Sequence, residues 1–137
     1  MLQEIKIENL IYEIRNKQVM LDSDVARLYW YETKRINEIV KRNIDRFPEE
    51  FCFQITRNEE KEIMYLKSQI ATSNYEGHGG RRKLPYVFTE HGIMMLAGML
   101  KSEIAVEISK KIINAFIAMR HFIKENKDIF KRLTTVE

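Results

Sequence analysis

The chain has 137 residues, 45% of them apolar, with five glycines, two prolines and a formal charge of +3. That is enough apolar mass for one domain with its own core and too little Gly and Pro for a disordered or fibrous chain, while the small net charge does not by itself point to a polyanionic partner. The lone Cys52 cannot staple the chain, no secretory pattern opens it, and no apolar run reaches the roughly 18 residues that span a bilayer, so a cytoplasmic protein away from membranes is expected.

In chain order, Leu10–Arg15 and Gln18–Leu21 are β-prone runs around Asn16-Lys17 and read as a hairpin, although Leu10–Arg15 could also extend a helix. Asp22 and Asp24 then open a short helix as capping residues, with Val25, Ala26 and Leu28 on its packing face. Thr33 offers the N-cap of a second helix, where Ile36, Ile39 and Val40 recur at helical spacing through Asn43. Pro48 stops that helix, Phe51–Thr56 alternates as a strand, and Asn58 or Thr56 can cap a helix through Leu66. Ser68–Lys83 holds three glycines and Arg81-Arg82-Lys83 and reads as a long polar loop. Pro85–Phe88 follows as a strand, Thr89 caps a helix to about Leu100, and a break at Lys101-Ser102 leads to a long helix from Glu103 to about Lys127. Residues 128–137 read as a polar tail on one domain spanning 1–137, and the fold class is α+β.

Two short helices joined by a brief turn have the layout of a helix-turn-helix, whose second helix enters the major groove. With Ile36, Ile39 and Val40 packed inward, its free face carries Lys34, Arg35, Asn37, Glu38, Lys41 and Arg42. Arg and Asn can pair with guanine and adenine edges, while Lys and Arg hold phosphates. Thr33 at the helix start would add a hydroxyl and free N–H groups for a phosphate. A basic face of this kind is also what a solvated amphipathic helix shows, with Glu38 pairing to Lys41 or Arg42. Trp30-Tyr31 is an unusual turn, since Gly is the residue that most easily adopts a left-handed helix end.

The ordered blocks IYEIRNKQVMLDSDVARLY, TKRINEIVKRNIDRFPEEFCFQIT, LKSQIATS and GGRRKLPYVFTEHGIMMLA resemble the amino-terminal domain of phage "open reading frame six" proteins. That family is grouped with the KilA-N and Bro-N domains, and the resemblance runs from about Leu10 to Arg120. It implies a DNA-binding domain of phage or prophage regulators, often antirepressor-like, and departs from the family pattern at Trp30-Tyr31, where a Gly and an aliphatic residue are common. It also brings Arg81, Arg82 and Lys83, with Gly79-Gly80, into the same module as a second contact to the duplex; in the DNA-binding reading Arg46 joins them in holding the backbone.

No catalytic constellation or cofactor motif is present. His78, His91 and His121 lack metal-ligand spacing, Cys52 has no local catalytic partner, and Glu49-Glu50 and Glu59-Glu60-Glu62 read as solvated charge runs. The expectation is therefore a non-enzymatic binder of duplex DNA, without metal or cofactor. A second reading takes the broad apolar face of 103–127 as a surface for a homodimer or for capturing a repressor protein. A nuclease is the third and weakest, since it needs carboxylates or histidines clustered on a metal.

Overall fold

Ile11–Ile14 (β1) and Lys17–Leu21 (β2) pair antiparallel with Ile14 opposite Lys17, so the hairpin turns on Arg15-Asn16, one residue earlier than the sequence suggests. Both turn residues have positive φ, 56° and 63°, as a two-residue turn matched to strand twist requires. Asn tolerates that region, and Arg15 is held there from outside. Its guanidinium donates to both carboxylate oxygens of Glu59 and lies 4.4 Å over the Phe53 ring.

The computed structural model describes residues 6–70 and 83–126, the side chain of Ile70 excepted. After β2 come Asp22–Tyr29 (α1), Thr33–Arg42 (α2), a 3-10 turn at Ile44–Arg46, Cys52–Gln54 (β3), Arg57–Ile70 (α3), Tyr86–Phe88 (β4), Glu90–Leu100 (α4) and Glu103–Glu125 (α5). A 3-10 turn at Ile7–Leu10 precedes β1, so that stretch does not join a helix with the strand. The strands form one antiparallel sheet in the order β1-β2-β4-β3, and the fold is α+β. α3 carries on to Ile70, past Ser68 where the long loop is expected to begin, and residues 71–82 of that expected loop lie outside the described residues.

Alternation along the strands gives the sheet two buried faces. Ile11, Met20, Cys52 and Phe88 join Val25, Ile36, Ile93, Leu96, Ile112 and Phe116 in a core shared with α1, α2, α4 and α5. Tyr12, Val19, Leu21, Phe53 and Val87 point the other way, onto Ile63 of α3. Each fully buried side chain of this size contributes about 1.5–3 kcal/mol of hydrophobic free energy. Cys52 therefore packs on the helical side. Burial, with Asp22 nearby, pushes its thiol up to about 12, which leaves it protonated and unreactive near neutrality.

Helix ends follow local chemistry. Thr56 accepts from the Glu59 N–H while Glu59 accepts from the Thr56 N–H, a capping box that resolves the choice between Thr56 and Asn58. Thr89 accepts from Gly92 N–H at the start of α4, and Ser102 from Ala105 N–H at the start of α5. The α5 stripe sits slightly off the one read from the sequence: Ala105, Ser109, Ile112, Ala115 and Phe116 are buried, whereas Ile104 and Phe122 are exposed.

Gly92 marks the closest approach of α4 to the chain before β3. A Cβ there would lie 2.0 Å from the Phe51 carbonyl oxygen, whereas Gly98 in the same helix faces open space. The two glycines should respond oppositely to alanine. Gly92→Ala is expected to lose about 2–3 kcal/mol by overpacking. Gly98→Ala should gain roughly 0.5–1 kcal/mol from helix propensity. Urea unfolding of the two variants checks the signs, and a neutral Gly92→Ala would contradict the close approach.

Candidate nucleic-acid interface

The site is built outward from the first turn of α1. Asp22 and Asp24 do not cap that helix as the sequence suggested: the N-cap is Leu21, without a side-chain bond, and both carboxylates are buried. β2 passes into α1 with no connecting residue, so the β2–β4 ladder ends at Leu21 opposite Val87. The next N–H on β4, that of Tyr86, is taken by the Asp22 carboxylate at 3.1 Å, and the same oxygen accepts from the Asn37 amide of α2 at 3.0 Å. One buried oxygen thus fixes α1, α2 and the start of β4 together. Asp24 reaches the other way, pairing with Arg27 at 2.9 Å and with Lys67 of α3 at 3.5 Å. Both carboxylates also lie at the positive end of the α1 dipole.

The link from α1 to α2 is Trp30-Tyr31-Glu32. Trp30 is left-handed, with φ 65° and ψ 36°. The Tyr31 N–H bonds back to Ala26 O at 2.8 Å and the Trp30 N–H to Arg27 O at 3.1 Å, which is a Schellman ending. A non-glycine residue in this conformation costs roughly 1–2 kcal/mol. Trp30 offsets none of it by burial, being 88% exposed. Tyr29, by contrast, is buried and hydrogen-bonded to Ser109 of α5, and burial raises its phenol above the usual range.

α2 begins after Glu32, so Thr33 is its first residue rather than its cap, and Glu32 makes no side-chain bond to the leading N–H groups. The Arg35 and Ile36 N–H groups donate to the Glu32 carbonyl, and those of Thr33 and Lys34 stay open to an anion. Ile36 and Val40 are buried, Asn37 is half-buried and bound to Asp22, and Lys34, Arg35, Lys41 and Arg42 are exposed. At about 100° per residue, Lys34 and Lys41 form one rail, Arg35 and Arg42 a second, and Glu38 lies between them. Members of a rail are two turns, about 10 Å, apart. Of the expected base readers, Asn37 is thus turned from the exposed face and spent on the framework.

Arg46, in the 3-10 turn after α2, extends the arginine rail. Across from it lies the α4–α5 corner, where Lys101 adopts φ 47°. Between them runs a groove of about 440 Å³ into which Arg35, Arg42, Arg46 and Lys101 all face, with no carboxylate along it. The side chains of Lys34, Arg35, Lys41, Arg42, Arg46 and Lys101 form no hydrogen bond or ion pair with other described residues. Among the described residues, the cations that form ion pairs are Arg15, Arg27, Lys67, Lys110 and Arg120. Helix C-termini attract cations, but Asn43 already donates its amide to the Ile39 carbonyl at the end of α2. Arg35 leans only toward the Tyr31 ring, at 5.9 Å.

Lys83 is exposed three residues ahead of β4. Arg81 and Arg82 lie outside the described residues. Trp30 and Lys101 are the parts of this surface that sequence reading missed as contacts. The left-handed turn marked Trp30 only as an awkward residue, and Lys101 joins the groove through tertiary packing alone. Among the described residues, no group of three or more His, Cys, Asp or Glu could hold a metal, and no helix is long and apolar enough to cross a membrane.

The ORF6N domain matches residues 9–99, which covers the sheet, the α1–α2 unit and α4 up to the groove. The chain belongs to the ORF6N domain family. No curated protein and no solved structure matches it. The ORF6N domain is a phage-type regulatory domain, and its matched span contains Asp22, Asn37, Tyr86 and both rails of α2.

Removing the shared carboxylate should be costly. Asp22→Ala leaves the Tyr86 N–H and the Asn37 amide without their acceptor, and is expected to lower stability by about 2–4 kcal/mol. Hydrogen exchange at Tyr86 should accelerate alongside. An unchanged urea midpoint with unchanged exchange would contradict the role given to Asp22.

Proposed function

We propose that this ORF6N domain is a DNA-binding regulator that lays α2 in the major groove of a duplex as the second helix of a helix-turn-helix. The observation that carries this reading is where unpaired cations gather: Lys34, Arg35, Lys41, Arg42, Arg46 and Lys101 crowd on α2 and around its groove, with no carboxylate along the groove. An exposed cation gains little from a surface pair, but a run of unpaired ones on one rigid helix is suited to a polyanion. Each phosphate it neutralises releases condensed counterions.

The two rails suit the two strands that border the major groove, which is about 12 Å wide. Lys34 and Lys41 take phosphates on one side. Arg42, Arg46 and Lys101 take them on the other, and Arg35 at the leading end is placed for a guanine edge. Glu38, between the rails, is an acceptor suited to the cytosine amino group. Thr33 and the open N–H groups of α2 hold a phosphate at the helix start. Lys83, with Arg81 and Arg82, is proposed as a second contact to the duplex, on the strength of the family resemblance. The proposal extends to a role in transcription control, antirepressor-like in character, which family membership supports, with no chemistry performed on the DNA.

A protein-capturing role through 103–127 draws less support, because most of the α5 apolar face is spent on the core. Ile104 and Val106 remain exposed near one end of the helix and Phe122 near the other, so they do not form one patch.

Binding of a fluorescent duplex across a salt series tests the proposal. Five or six phosphate contacts predict that log K falls against log salt with a slope of about −5, near −0.9 per contact. Lys41→Ala should flatten the slope by about one and weaken all sequences alike, whereas Arg35→Ala or Glu38→Gln should relax sequence preference. Absence of duplex binding at low salt, or a slope that Lys41→Ala, Arg42→Ala and Arg46→Ala all leave untouched, would rule the reading out.

A further inference from the structure

Trp30 is the one residue of the α1–α2 unit that the framework neither buries nor favours. It is left-handed where a glycine would be relaxed, and 88% of its surface is exposed. Side chains held at such a cost without packing in return cluster at functional sites. Its neighbours on the surface are Lys34, Arg35 and Glu38 of α2 and Glu32 in the turn, which together line a shallow depression. Lys34 and Arg35 have no carboxylate partner there. A large apolar ring beside unpaired cations, at the open N-terminus of a helix, matches the mixed surface of a nucleotide: apolar sugar and base faces next to charged phosphate oxygens.

From this we infer that Trp30 is a nucleotide-contacting residue, packing its indole against the deoxyribose of the strand that meets the start of α2, with Nε1–H donating to a phosphate oxygen. Left-handed backbone at Trp30 directs the ring out of the protein rather than back onto α1, so the strain serves to aim it. This rests on the duplex-binding reading of α2 and adds to it a contact from the turn. The contact is indifferent to base identity, so it raises affinity across sequences and leaves the salt slope alone, because an indole carries no charge.

The chain contains a single tryptophan, which makes the residue its own reporter. Acrylamide quenching of Trp30 emission in the intact protein should fall several-fold when an unlabelled duplex saturates the domain. Trp30→Gly should bind a fluorescent duplex about tenfold more weakly, with the salt slope of the parent and an unfolding midpoint no lower than it. Trp30→Phe should keep most of the affinity. Full duplex binding by anisotropy with quenching unchanged would overturn the contact and leave the α2 reading standing. No duplex binding at low salt would overturn both. Should Trp30→Gly prove unstable, the quenching of the parent protein decides alone.

Discussion

A buried carboxylate oxygen on the first residue of α1 is the constraint on which this domain is organised. β2 ends and α1 begins without an intervening loop, which leaves a backbone N–H of the neighbouring strand facing a helix where it would have faced a strand. Asp22 supplies the missing acceptor and uses the same oxygen for Asn37. An apolar residue at this position would strand two donors in the interior, each at about 1–3 kcal/mol. Two residues on, Asp24 repeats the device toward Arg27 and Lys67. The acidic opening of α1 is therefore a junction: one carboxylate sets α2 against the sheet, and the next sets α3 on its opposite side.

What α2 displays follows from that junction. With Asn37 drawn inward, Ile36 and Val40 face the core and the remaining arc must hold Lys34, Arg35, Glu38, Lys41 and Arg42. The helix is short, and its orientation comes from its packing on α1 and from the Asp22 carboxylate that Asn37 shares with Tyr86 rather than from its own length. The face is accordingly presented rigidly, which binding of a regular polymer requires if side-chain positions are to match phosphate positions. Arg46 and Lys101 extend it because the chain turns sharply after α2 and again after α4, and both turns come to the same side.

Much of this was legible in the sequence because the signals were local. Thr56 and Thr89 stand where helix starts need them, and alternation marked β3. The basic face of α2 followed from helical spacing alone. Asp22 and Asp24 were misassigned for a physical reason: acidic residues at a helix start have the same local signature whether they cap it or turn inward, and only the neighbouring strand decides. Asn37 was misplaced for the same cause, since its spacing borders the exposed arc while its partner lies fifteen positions earlier in sequence. Lys101 could not have been read, because its membership of the groove depends on how α4 packs beside α2. Arg81 and Arg82 fall outside the described residues.

The central claim is that the ORF6N domain engages a duplex through α2 and its flanking turns. Mapping amide shifts of the isotopically labelled domain during titration with a short duplex tests it most directly. The account predicts that the largest changes run from Trp30 to Arg46 and include Lys101, while α3 and the exposed side of α5 stay silent. Changes confined to α5, or saturation by the duplex without perturbation of α2, would contradict it.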